Sequence, residues 1–146
     1  MIRQIPMTSL DLLYKTGRVQ PAKPGFETYS ENVAENEDEE NWYVCRNCQQ
    51  RLTRPSHRIN VQGSHIHTFA NPSGIVFEIA CFNSARGYSF MGPASAEFAW
   101  FSGFAWRIII CSSCLNHLGW YFSSMGSGSF FAFITDKIQI QSLPKA

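Results

Sequence analysis

Nothing in this sequence is suited to crossing a bilayer. Apolar runs such as Ile108–Cys111 fall far short of the roughly 20 residues that a spanning helix needs. The N-terminal stretch MIRQIPMTSLDLLYKTGRV has no sustained apolar segment of the signal-peptide kind. Helical periodicity is largely absent, and the only internal repetition is a pair of short cysteine motifs. Acids are scarce beyond position 41, where only Glu78, Glu97 and Asp136 stand against eight bases. Those bases are scattered along the chain, which argues against a nucleic-acid surface. No cysteine follows Cys114, and no nucleophile, base and orienting residue fall together in a visible set. These absences lead to a soluble, cytoplasmic protein that is not an enzyme and has neither nucleic acid nor membrane as a partner.

What is present divides the chain in two. Its 146 residues amount to about one domain. Residues 1–41 hold eight of the eleven acids, including the run Glu35-Asn36-Glu37-Asp38-Glu39-Glu40, with Pro6, Pro21, Pro24, Gly17 and Gly25. Like charges repel and few residues there can build a core, so a flexible acidic N-terminal extension is expected. Residues 42–146 carry a net +5 against −4 for the extension, and are expected to form the folded domain.

The folded part looks mainly β. Ile75–Phe82 is rich in β-branched and aromatic residues and follows the turn signal Asn71-Pro72-Ser73-Gly74. Phe104–Ile110 reads as a strand, and a last pair of strands is expected at Phe130–Ile134 and Ile138–Gln141 after a glycine-serine loop. Antiparallel connections are the simplest assignment.

Five cysteines are present. Cys45-x-x-Cys48 and Cys111-x-x-Cys114 are separated by 62 residues, the spacing of a zinc site built from two tight turns. Four thiolates close a tetrahedral shell, so the single zinc is expected to be structural. Cys81 lies in Ile79-Ala80-Cys81-Phe82, where a thiol packs as a small hydrophobe; a catalytic thiol is the competing reading. His65 and His67 alternate on a strand and read as hydrogen-bonded polar residues. His117 either donates to a thiolate or occupies a loop without a role.

Trp100, Trp106 and Trp120 surround the second cysteine pair. They are either core or the walls of a box. Glycine-bearing turns beside Trp100 and Trp120 suggest loop ends, which favours the box. Such a box takes a cation on its ring faces or a flat neutral ring by packing. Only Glu97 is close enough in sequence to serve a cation, so the neutral ring is preferred.

The order of motifs resembles the CULT domain family, the thalidomide-binding domain of cereblon and its stand-alone bacterial relatives. The resemblance runs through Cys45-x-x-Cys48, His67-Thr68-Phe69-Ala70-Asn71-Pro72-Ser73-Gly74 and Gly92-Pro93. It continues through Glu97-Phe98-Ala99-Trp100-Phe101-Ser102-Gly103-Phe104-Ala105-Trp106, Cys111-x-x-Cys114 and His117-Leu118-Gly119-Trp120-Tyr121-Phe122. It implies a β-tent fold, two antiparallel sheets pinned by the zinc. It also implies that Trp100, Trp106 and Trp120, with Phe122 as a further wall, enclose a glutarimide, a uridine-like ring or a cyclic imide at a protein terminus. By the same resemblance the imide edge meets the Phe98 carbonyl and the Trp100 amide, and Asn71 approaches from the open side. Phe98 stands where the family has histidine, and Ser102 where it has proline. A methyl-lysine reader and a methionine sulfoxide reductase-like β-tent enzyme are the alternatives.

Overall fold

β-branched and aromatic residues dominate the strands of this chain, as the sequence suggests. A computed structural model describes residues 27–28 and 41–142. Apart from Glu27–Thr28, the expected acidic extension lies outside the described residues, as do residues 143–146. The strands are β1 (Glu27–Thr28), β2 (Asn41–Cys45), β3 (Arg51–Thr53), β4 (Ile59–Asn60), β5 (Ile66–Ala70) and β6 (Val76–Phe82). They continue as β7 (Tyr88–Ser95), β8 (Ala105–Cys111), β9 (His117–Ser124), β10 (Gly128–Ile134) and β11 (Ile138–Ser142). Every pairing is antiparallel. One sheet has six strands in the order β5-β6-β10-β9-β8-β7, the other has three, β11-β2-β3, and β1 pairs with β4.

The six-stranded sheet is apolar on both faces because its central strands alternate between two cores. On β6, Ile79 and Cys81 face one cluster, while Ala80 and Phe82 face the other. On β10, Phe130, Ala132 and Ile134 join the first, and Phe131 and Phe133 the second. The first core contains all three of the clustered tryptophans. The second is shared with the small sheet through Tyr43, Cys45, Leu52 and Ile138. A sheet covered on both sides needs near-continuous apolar stretches, and this is why Ile79–Phe82, Ile108–Cys111 and Phe130–Ile134 read as hydrophobic runs.

Two sequence expectations change here. The last two strands exist but do not pair with each other. β10 lies between β9 and β6, whereas β11 joins β2, with Ile138 opposite Cys45. The 3₁₀ turn Thr135–Lys137 carries the chain from one sheet to the other. Trp120, expected at a loop end because of Gly119, lies inside the central strand β9 instead.

Gly119 marks a bulge and not a turn. Ile109 pairs with Gly119 but Ile110 with His117, so Leu118 is the extra residue. A Cβ at Gly119 would collide with the Ala132 carbonyl of β10. Glycine therefore lets two strands close at the point where the bulge redirects Trp120.

Candidate functional site

The two cysteine motifs form near-identical knuckles. In the first, the Gln49 N–H donates to the Cys45 carbonyl at 2.8 Å and the Cys45 N–H to the Gln50 carbonyl at 2.8 Å. In the second, the Leu115 N–H donates to Cys111 at 2.8 Å and the Cys111 N–H to Asn116 at 2.9 Å. The residue after each pair takes the same left-handed backbone, φ 70° at Gln49 and 68° at Leu115. Each turn follows the end of a strand, β2 or β8, so both cysteine pairs inherit fixed positions. Arg46 clasps the first knuckle to β11, donating to the carbonyls of Asp136 and Ile138 at 3.0 Å each. Ser112 Oγ donates to the Gly87 carbonyl at 2.9 Å and accepts from Gln50 Nε2 at 3.2 Å, joining the second knuckle to the first.

The four sulfurs converge. Cys45 and Cys114 Sγ lie 3.6 Å apart, Cys48 and Cys111 Sγ 3.5 Å, and all four fall within 4.8 Å of one another. An ideal tetrahedron of thiolates around zinc has edges of about 3.8 Å, so the donor set and its spacing fit such an ion. Burial pushes the Cys45 thiol up to about 12, whereas the Asn47 side chain leads the groups that bring Cys114 down to about 6. Burial also raises Cys111. A bound cation would displace the thiol protons and take the thiolates as ligands.

On the other face of the large sheet, Trp106 of β8 stands directly opposite Phe122 of β9, and Ile108 opposite Trp120. Trp106 and Trp120 are therefore diagonal neighbours on one face. Trp100 comes from the loop between β7 and β8 and meets Trp120 edge to face, with centroids 4.7 Å apart and planes at 71°. Stacking a flat molecule between two parallel rings needs about 7 Å between them, two van der Waals thicknesses of about 3.5 Å. These two indoles thus make a corner and not a clamp.

Phe69 stacks on Trp100 at 4.9 Å, and Phe77 reaches Trp120 at 5.2 Å. Phe122 is buried against Phe101 and Phe130. Two of the three indole N–H groups are spent holding loops. Trp100 donates to the Ala70 carbonyl at 3.1 Å and Trp106 to the Glu97 carbonyl at 2.8 Å. The N–H of Trp120 is buried without a hydrogen-bond partner.

The remaining expected site residues frame this corner. Phe98 is 46% exposed and has φ 55°, a costly conformation for a bulky side chain. Asn71 is buried, and its Oδ1 accepts from the N–H groups of Ser73 at 2.9 Å and Ile75 at 2.8 Å. That half of the amide shapes the loop that holds Trp100. Phe69 and Phe77 were missed by sequence reasoning. Their period-2 spacing with His67 and Ile75 was visible, but not which face it served.

Three of the four histidines engage backbone carbonyls. His65 Nδ1 lies 3.1 Å from the Ile59 carbonyl, and His67 Nε2 lies 2.9 and 3.0 Å from the carbonyls of Val61 and Ser64. Carbonyls only accept, so His67 carries its proton on Nε2. His117 places its Nε2 3.2 Å from the Gly119 carbonyl and its ring edge-on to Trp120 at 4.8 Å. Burial lowers the pKa of all three.

The neutral forms are thus favoured by folding, and their contribution is complete above the ordinary histidine value near 6.5. It is lost as pH falls through the lowered native values, because the unfolded chain then binds more protons. Urea midpoints are expected to drop between about pH 7 and about pH 5.5 while metal content holds, and His67→Gln should flatten that slope. An unchanged slope in the variant would remove His67 from this account.

Fold and clusters together define an antiparallel β protein with a four-thiol cluster that could hold a metal ion under one face of its main sheet and a tryptophan corner on the other. No family model matches the chain. Over 92 residues it is similar to protein cereblon of Drosophila persimilis, at 34% identity, and of Drosophila melanogaster, at 33%. The match covers 60% of this chain but spans only 15% of those relatives' length.

Proposed function

We propose that this domain is a binding module, held together by structural zinc, that captures a cyclic imide or a similar flat heterocycle in the corner formed by Trp100, Trp106 and Trp120. The unpartnered N–H of Trp120 carries this reading. Its neighbours include Trp100, Phe77 and His117, and a buried donor left unmade is costly. Trp120 is 1% exposed, so a ligand carbonyl satisfies this N–H once the loop that carries Trp100 gives way, and the rings then pack on the ligand's apolar face. The CULT-like motif order supports the same ligand class. It also supports pairing of the imide edge with the Phe98 carbonyl and the Trp100 amide. The strained backbone at Phe98, φ 55°, suits a sharply bent loop beside Trp100.

The tetrahedral spacing of Cys45, Cys48, Cys111 and Cys114 supports zinc. With all four sulfurs engaged, the metal serves structure. A role without turnover is supported by Cys81, which is 0% exposed and whose thiol burial pushes up, away from the reactive thiolate. Among the described residues no helix is long and apolar enough to cross a membrane.

Tryptophan fluorescence titrated with glutarimide is expected to saturate. In Trp120→Phe, affinity should fall about tenfold while thermal stability holds or rises, because an unmade buried hydrogen bond is removed from the free protein. Glutarimide without effect on a folded, metal-loaded protein would defeat the proposal. Saturation by tetramethylammonium in its place would favour the cation reader.

A further inference from the structure

Bases that are scattered in sequence gather in space around Trp42, the tryptophan outside the cluster. The guanidinium carbons of Arg54, Arg51 and Arg86 lie 5.1, 5.3 and 5.6 Å from the centroid of its ring. The indole's electron-rich face holds the cations in place, but it supplies no counter-charge. Among the described residues, buried Arg54 Nε finds no hydrogen-bond partner.

The surrounding framework is fixed. Tyr43 pairs with Thr53, which sets Trp42 of β2 beside the end of β3. The Thr53 hydroxyl donates to the Ser84 carbonyl at 2.7 Å, and the Arg86 N–H donates to the Leu52 carbonyl at 2.7 Å. These bonds lash the loop before β7 to the small sheet. A cavity of about 150 Å³ opens there, lined by Trp42, Thr53, Arg54, His57, Ser84 and Arg86 among others. Within residues 41–142 the acids are Glu78, Glu97 and Asp136, and none of them lines it.

We propose that this cavity is an anion site for a phosphoryl group, separate from the tryptophan corner. Converging guanidiniums repel one another unless an anion bridges them. A phosphate dianion offers two charges and several strong acceptor oxygens to the guanidinium forks. A single carboxylate offers one charge and two oxygens. The cavity's size suits one phosphoryl group with a little water, and its open side leaves room for whatever carries that group. Arg54 Nε gains in this way the acceptor it lacks, and Arg86 closes on the ligand from the exposed side.

The test is a titration of the full-length, metal-loaded protein at low ionic strength, following the arginine Nε–H resonances by NMR. The Arg54 resonance is the one that disappears in Arg54→Gln. Inorganic phosphate is expected to shift it saturably, and Arg86→Gln, an exposed change that leaves the fold intact, should weaken binding about tenfold or more. A phosphoserine peptide that binds about tenfold tighter than phosphate would assign the site to a phosphorylated protein. Equal affinities would assign it to free phosphate. A response matched by chloride at the same ionic strength, or unaltered in Arg86→Gln, overturns the proposal.

Discussion

Stripping the metal from this protein is expected to unfold it. Structural zinc contributes about 10–16 kcal/mol in small zinc-binding peptides, and a domain of this size has a net stability of about 5–15 kcal/mol. The tertiary arrangement makes that dependence direct. Cys45 and Cys111 are buried members of the core shared by the two sheets, and Cys48 and Cys114 pack against it. Without the ion, four sulfurs within 4.8 Å of one another bring desolvated thiols together for little return. Cys48→Ser should therefore lose both metal and the cooperative thermal transition, read by circular dichroism and elemental analysis. Chelator treatment of the native protein should do the same. A Cys48→Ser protein that melts cooperatively at the native temperature with no bound metal would show that the sheets hold themselves together.

Replacing Trp106 by alanine should abolish saturable glutarimide binding, a loss of at least about a hundredfold. The side chain is buried opposite Phe122, and its N–H anchors the Glu97 carbonyl at 2.8 Å. Truncation removes one wall of the corner and frees the loop that carries Phe98 and Trp100. It also costs about 3–5 kcal/mol in packing, so the variant's thermal melting is followed alongside its binding. Trp106→Phe separates the two roles. It retains an aromatic wall but loses the anchor, so its affinity should lie between native and alanine, with native metal content in each. Native affinity in a folded Trp106→Ala protein would place the ligand elsewhere, or make the three tryptophans simple core.

Local patterns were legible wherever the physics is local. A Cys-x-x-Cys turn needs only its own few residues to aim two sulfurs, so both knuckles could be read directly, as could the burial of Cys81 within Ile79-Ala80-Cys81-Phe82. Strand content was equally plain, because β-branched and aromatic runs have few other stable conformations. Gly119 misled because glycine serves turns and close strand approaches alike; the neighbour that decides between them, Ala132, lies on another strand. Phe69 and Phe77 were hidden for a similar reason. Their alternation was visible, but which face meets the tryptophans depends on how β5 and β6 dock in the sheet.

By itself, then, the sequence determined a mostly β chain, two metal knuckles and three tryptophans near one of them. Only the tertiary structure decided that β11 leaves its sequence neighbour for β2, since that pairing joins Ile138 to Cys45 across most of the domain. Only it decided which indole N–H is left unpartnered, and that Arg51, Arg54 and Arg86 meet on Trp42. Each of these depends on contacts between residues far apart in the chain. Such contacts are selected by how whole sheets cover one another, and a local pattern holds no record of that.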